Sequence, residues 1–151
     1  MINYVTGNLL ESEADIIGHQ VNAQGVMGAG LAKQIRSRYP NVYNDYTALC
    51  KTNQNKNTLM GQAQFIEVGT NKYVASLFGQ LYYGRQKMQY THYPSLKAAL
   101  TELREVAEEH GISVGLPKFL GCGLAGGDWE VVSKIIEEAF DGYEVTIYKL
   151  E

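Results

Sequence analysis

The chain has 151 residues, 45% of them hydrophobic, and a formal charge of −3, which suits one domain that buries a core without a staple. That charge and the lack of a basic run exclude strong sequence-independent binding to duplex nucleic acid. Cys50 and Cys122 are the only cysteines and lie too far apart for a metal or redox motif, and Met1-Ile2-Asn3-Tyr4 lacks the features of a signal peptide, so free thiols, a cytoplasmic location and no membrane span are expected.

Residues 2–5 and 16–21 read as short strands, the second apolar enough to be buried. A glycine turn follows, Met27-Gly28-Ala29-Gly30-Leu31-Ala32, preceded by Asn22. Leu31, Ile35 and Tyr39 then recur at helical spacing, and Pro40 ends or breaks that helix. Val42, Tyr43, Tyr46, Leu49 and Cys50 form a second amphipathic stripe, and residues 53–57 read as a polar loop. Residues 62–68 and 73–78 suit a strand pair joined by Gly69-Thr70-Asn71. Residues 79–93 show no clean period and read as an ordered loop rich in tyrosine.

Leu96, Ala99, Leu100, Leu103, Val106 and Ala107 make the strongest helical stripe, stopped by Gly111. Residues 113–116 are a short buried strand that runs into a second glycine turn, Gly121-Cys122-Gly123-Leu124-Ala125-Gly126-Gly127, followed by Asp128-Trp129. Val131, Val132, Ile135, Ile136 and Ala139 form the last helix, and residues 143–150 the closing strand. Alternating strands and helices imply an α/β sheet covered on both faces. In such sheets ligands settle beyond the carboxyl ends of the strands, where both glycine turns should lie.

Glycine lets backbone N–H groups approach a ligand closely, and a helix N-terminus adds unpaired donors with a positive dipole end. Two such turns far apart in sequence point to a nucleotide that carries a diphosphate. Gly28 and Gly30 fit either a phosphate cradle or tight packing of helix on strand. The second run is the more specific, because four glycines in residues 121–127 cost more chain entropy than an ordinary loop requires. Cys122 has no identifiable base beside it and reads as a small packed residue rather than a nucleophile.

Asp128 is a natural N-cap, with a catalytic role secondary to that. His19, at the end of a buried strand and three residues before Asn22, is the best general acid/base candidate, since an unperturbed value of about 6.5 serves either role. Asn22 offers an amide that donates to and accepts from sugar hydroxyls. His92 and His110 read as surface residues, and three scattered histidines do not make a metal site. Tyr82, Tyr83, Arg85 and Tyr90 interleave aromatics with cations and read as a loop flanking the pocket.

Val5-Thr6-Gly7-Asn8-Leu9-Leu10, residues 19–31, residues 116–129 and Val145-Thr146-Ile147-Tyr148-Lys149-Leu150 occur in an order and spacing that resemble the macrodomains. The resemblance runs along essentially the whole chain. It implies a single three-layer α/β/α domain with a mixed, mostly parallel sheet that binds ADP-ribose without a cofactor or metal. Within the family the chain looks most like the terminal ADP-ribose glycohydrolases and the ADP-ribose 1″-phosphate phosphatases, including bacterial and phage proteins.

By that resemblance Asn8 stands where many macrodomains have an aspartate that accepts from the adenine amino group, with Leu9 beside it. Asn22 matches the asparagine that contacts the distal ribose, Gln20 is a further ligand-binding candidate, and Met27, Gly28, Ala29, Gly30 and Leu31 form the loop beside the distal ribose and phosphate. Pro117 leads into Gly121, Cys122, Gly123, Leu124 and Ala125, which match the diphosphate loop, and Tyr148 matches an aromatic near adenine. His19 falls where the phosphatases have a histidine proposed to be catalytic.

Two departures stand out. Gly79-Gln80 replaces the nucleophilic lysine of the glutamate-deconjugating branch, and Ala125 replaces its aspartate, so a lysine-dependent mechanism is not expected. The reading is a monomeric hydrolase of an ADP-ribose derivative, with ADP-ribose 1″-phosphate first, an O-linked ester second and an ADP-ribosylated macromolecule as partner. The alternative is a non-catalytic ADP-ribose reader. A single-stranded RNA binder is disfavoured by the net charge.

Overall fold

The computed structural model describes residues 2–150. Six strands, β1 (Ile2–Thr6), β2 (Ile16–Asn22), β3 (Ala63–Gly69), β4 (Lys72–Gln80), β5 (Val114–Pro117) and β6 (Val145–Lys149), form one sheet in the order β1-β6-β5-β2-β4-β3. All neighbours run parallel except β3 and β4. The helices are α1 (Gly30–Arg38), α2 (Pro40–Thr52), α3 (Tyr93–His110) and α4 (Trp129–Ala139). No helix among the described residues is long and apolar enough to cross a membrane.

Strand alternation divides the core in two. Ile16, Ala75, Leu77, Leu116 and Ile147 face the stripes of α3 and α4. Ile17, Val21, Val74 and Phe78 face α1 and α2 through Ile35, Val42, Tyr46 and Cys50. Because β2 and β4 are covered on both sides, they read as nearly continuous apolar runs, as buried parallel strands do. This is the three-layer arrangement expected from the sequence.

The boundaries differ in instructive places. Pro40 does not merely end α1: it opens α2 from the N1 position, where its missing N–H is no loss. Of the first stripe only Ile35 is fully buried. The loop expected at residues 79–93 is shorter, because Gly79 and Gln80 belong to β4 and Tyr93 to α3. Tertiary bonds hold that extension: the His92 N–H donates to the Gly79 carbonyl at 2.7 Å, and Gln80 bridges Thr91. Gly111 ends α3 in the left-handed region at φ +64°, as its position predicts.

The sheet opens where the site must be. β2 pairs with β5 only at Ile16↔Val114 and Ile17↔Gly115. Beyond that, β2 follows β4 as far as Asn22↔Gln80, while β5 follows β6 as far as Pro117↔Tyr148. The chain also leaves the two strands in opposite directions, toward β4 from β2 and toward β6 from β5. A crevice at their carboxyl ends is the result.

Candidate functional site

A cleft of about 660 Å³ occupies that crevice. One wall is the first glycine turn, Gly28-Ala29-Gly30-Leu31, and the other runs from Pro117 to Ala125. His19 and Gln20 come from β2 and Gln80 from β4, while Tyr83 and Arg85 close the β4 end. Both glycine turns therefore meet across one space. Arg85 and Lys118 are the only formally charged residues among those lining it, and no aspartate or glutamate lines it among the described residues. A chain with a net charge of −3 thus has a cationic cleft, which suits an anion.

The two walls offer donors differently. Ala29 precedes α1 with no side-chain cap, so the leading N–H groups of that helix are left for a ligand. At the second turn the helix is not the donor. Asp128 caps α4, its carboxylate accepting from the Glu130 N–H at 2.9 Å. Its own N–H donates to the Tyr93 hydroxyl, and it does not line the cleft. The expected catalytic role for Asp128 finds no geometry, and its capping role accounts for it. The loop itself supplies the donors: among the described residues, the N–H groups of Gly123, Leu124 and Ala125 have no protein acceptor. Three successive free amides form an anion-binding concavity.

Asn22 does not line the cleft. Its Oδ1 accepts from the Gln24 N–H at 2.9 Å and, more loosely, from that of Val26, and its Nδ2 donates to the Val26 carbonyl at 2.8 Å. The buried Tyr46 hydroxyl lies 2.6 Å from the Asn22 carbonyl and 2.9 Å from Oδ1. Burial raises the Tyr46 pKa well above its ordinary value, so this donor stays protonated. The amide expected to touch the distal ribose is hydrogen-bonded within the first turn and shapes it. Met27 is buried beneath it.

His19 lines the cleft from a side chain that is 2% exposed. Its Nε2 is 3.0 Å from the hydroxyl of Ser76, the register partner on β4, and Nδ1 has no partner. Burial lowers its pKa from 6.5 to about 4, because desolvation penalises the imidazolium. It is therefore neutral at physiological pH, which removes the general-acid role. Cys122 is equally far from reactivity: its thiol approaches the Leu120 carbonyl at 3.3 Å, and burial, then Asp128, pushes its pKa up to about 11. No group of three His, Cys, Asp or Glu residues that could hold a metal occurs among the described residues.

Gln20 organises the cleft floor. Its Nε2 donates to Gln80 Oε1 at 2.8 Å and Thr91 Oγ1 at 2.9 Å, while Gln80 donates to the Tyr82 carbonyl. Glycine leaves room for it: a Cβ on Gly79 would lie 2.3 Å from Gln20 Oε1 and would push the side chain aside, and one on Gly121, where φ is +70°, would lie 2.9 Å away.

The residues assigned to adenine by resemblance do not line the cleft. Asn8 caps a short 3-10 turn through the Leu10 N–H, Leu9 is buried, and Tyr148 packs on the α1/α2 core. The aromatic on the Pro117–Ala125 wall is Phe119, which the sequence did not single out. It occupies the third position of a turn closed by the Leu120 N–H and the Pro117 carbonyl, at φ +68°. Glycine or asparagine ordinarily fills such a position, and a bulky residue there costs on the order of 1–3 kcal/mol.

The Macro domain family profile matches residues 19–136. The DNA ADP-ribosyl glycohydrolase of Mycobacterium tuberculosis is 31% identical over 145 residues, which is 93% of this chain but 39% of that protein. This chain thus spans about two fifths of such relatives. The ADP-ribose 1″-phosphate phosphatase of Candida albicans is 27% identical and matches over 98% of this chain and 99% of its own length. The solved macrodomain of Mycobacterium tuberculosis DarG superposes with a TM-score of 0.83 at 29% identity, covering 98% of this chain and 97% of that one. Strand order, the paired glycine walls and a family match across most of the chain agree, and this protein belongs to the Macro domain family.

Proposed function

We propose that the chain binds ADP-ribose across the two glycine walls and hydrolyses a derivative substituted on the distal ribose. ADP-ribose 1″-phosphate is the first substrate and an O-linked ADP-ribosyl ester the second. The observation that carries this is the run of free amides at Gly123, Leu124 and Ala125 facing the uncapped start of α1. Together they supply fixed dipoles to a diphosphate from both sides, in a cleft whose charges are cationic. The curated relatives act, by their names, on ADP-ribosyl DNA and on ADP-ribose 1″-phosphate.

Hydrolysis of the phosphomonoester consumes one water and releases ADP-ribose and inorganic phosphate. Backbone donors stabilise the charge that builds on the phosphoryl oxygens. His19 contributes as a neutral imidazole whose Nε2 is occupied by Ser76, which leaves Nδ1 to hold a water by a hydrogen bond. A base with a value near 4 gives little proton-transfer drive at neutral pH, so positioning carries more of the rate than basicity.

A non-catalytic reader is the second reading, favoured by one observation. No carboxylate lines the cleft among the described residues, and Gln80 and Ala125 stand at the positions where the deconjugating branch has its lysine and aspartate. Phosphorus NMR on purified protein with ADP-ribose 1″-phosphate separates the two. Free phosphate appearing with time, and slowed in His19→Ala, supports the phosphatase. Shifted diphosphate signals without turnover support the reader.

A further inference from the structure

We infer that Phe119 is the platform on which the ligand's nucleobase stacks, and that the base lies at the β5/β6 end of the cleft. This inference rests on the nucleotide-binding reading above. Three observations carry it. Phe119 is held at φ +68°, a backbone conformation that glycine would adopt without strain, so a side chain is being kept there against local preference. The ring lines the cleft and is 51% exposed, so packing alone does not account for keeping it. It is also braced: the Trp129 ring meets it edge-on at 5.7 Å and 62°, and Lys118 Nζ lies 5.1 Å from its centroid. A rigid, half-open aromatic at the rim of a nucleotide-sized cleft is suited to stacking on a base.

The direction of the ligand follows. The Lys118 N–H donates to the Tyr148 carbonyl at 2.9 Å, which anchors the Phe119 turn to the end of β6. Arg85, Tyr83 and Gln80 stand at the opposite, β4 end, and the free amides of residues 123–125 lie on the wall between. A base on Phe119 and a diphosphate on those amides leave the distal ribose beside His19 and Gln80. Tyr148, the aromatic that resemblance would assign to the base, packs on the core instead.

The test is the affinity for ADP-ribose, by calorimetry, of wild type and four variants, with unfolding midpoints recorded alongside. Phe119→Leu keeps the apolar bulk but removes the π-face, and Phe119→Ala removes both. Each should weaken binding about tenfold or more, as loss of a base-aromatic stack does. Phe119→Tyr keeps the face and should bind within about threefold of wild type. Phe119→Gly should lose affinity like the leucine variant while its midpoint holds or rises, because glycine accepts the backbone conformation without strain. Leucine binding as tightly as phenylalanine, or tyrosine losing as much as leucine, overturns the assignment. Failure of the wild type to bind ADP-ribose at all would instead overturn the proposed function.

Discussion

The Thr91 hydroxyl donates to the carbonyl of Gly121 at 2.7 Å, joining the segment before α3 to the second glycine wall. A hydroxyl has one proton, so toward Gln20 Nε2 at 2.9 Å Thr91 can only accept. That orients the Gln20 amide and turns its Oε1 toward Gly79 and Gly121. The Thr91 and Tyr90 N–H groups also bond the Ala125 carbonyl at 3.0 and 2.7 Å. Thr91→Val should therefore remove two hydrogen bonds, one to the Gly121 carbonyl, which keeps the Gly127 N–H, and one from Gln20 Nε2, at a cost of about 1–3 kcal/mol. Weaker ADP-ribose binding should accompany the loss, with Thr91→Ser restoring both. Denaturant unfolding and calorimetry check this, and a valine variant as stable as wild type would refute it.

Asn22→Ala should lower stability and ADP-ribose affinity together. The amide closes the first turn through Gln24 and Val26, and its removal leaves their half-buried groups unpaired. About 2 kcal/mol of stability is at stake, since more than one bond goes. Loss of affinity with an unchanged melting temperature would show that the side chain acts on the ligand and not on the turn.

The depressed His19 value makes stability pH-dependent in a defined window. The folded protein keeps a neutral imidazole down to about 4, whereas the unfolded chain takes up a proton near 6.5. Stability linked to His19 is therefore complete above about 6.5, falls as the pH drops from there to about 4, and changes no further below. Each pH unit in the window is worth about 1.4 kcal/mol, so about 2 kcal/mol should be lost between about pH 7 and pH 5. His19→Asn should lack this component. Urea unfolding of both proteins at the two pH values tests it, and parallel losses would contradict it.

Cys122→Ser should retain turnover and ADP-ribose binding within about twofold, because a thiol with a pKa near 11 is not a nucleophile at neutral pH. Wild-type Cys122 should likewise react slowly with iodoacetamide near pH 7, followed by mass spectrometry. Rapid labelling that abolishes turnover, together with an inactive serine variant, would reinstate the nucleophile reading.

Much of the fold is legible in local pattern. The apolar run at residues 16–21, the stripe from Leu96 to Ala107 and the glycine after it mark β2, α3 and their limits because burial and capping act within a few residues. What escaped was set by distant partners. Gly79 and Gln80 have no strand signature and are held extended by Thr91 and His92. Asn22 advertises a polar amide, but Tyr46, from the next helix but one along the chain, decides that it faces inward. Asp128 follows the glycine run directly, yet starting α4 turns its carboxylate to Glu130. Phe119 could not have been found, since nothing in Pro117-Lys118-Phe119-Leu120 signals a left-handed residue.

The contact between Gln20 and two glycines far along the chain bears on how this sequence can vary. Positions 20, 79 and 121 share one small volume, although some sixty and a hundred residues separate them. Alanine at 79 would meet the Gln20 side chain, so a shorter residue at 20 opens that position, while at 121 the backbone conformation favours glycine whatever stands at 20. Single-site mutagenesis would record positions 20 and 79 as two separate constraints. Randomised as a pair, they would yield functional combinations that neither position admits by itself.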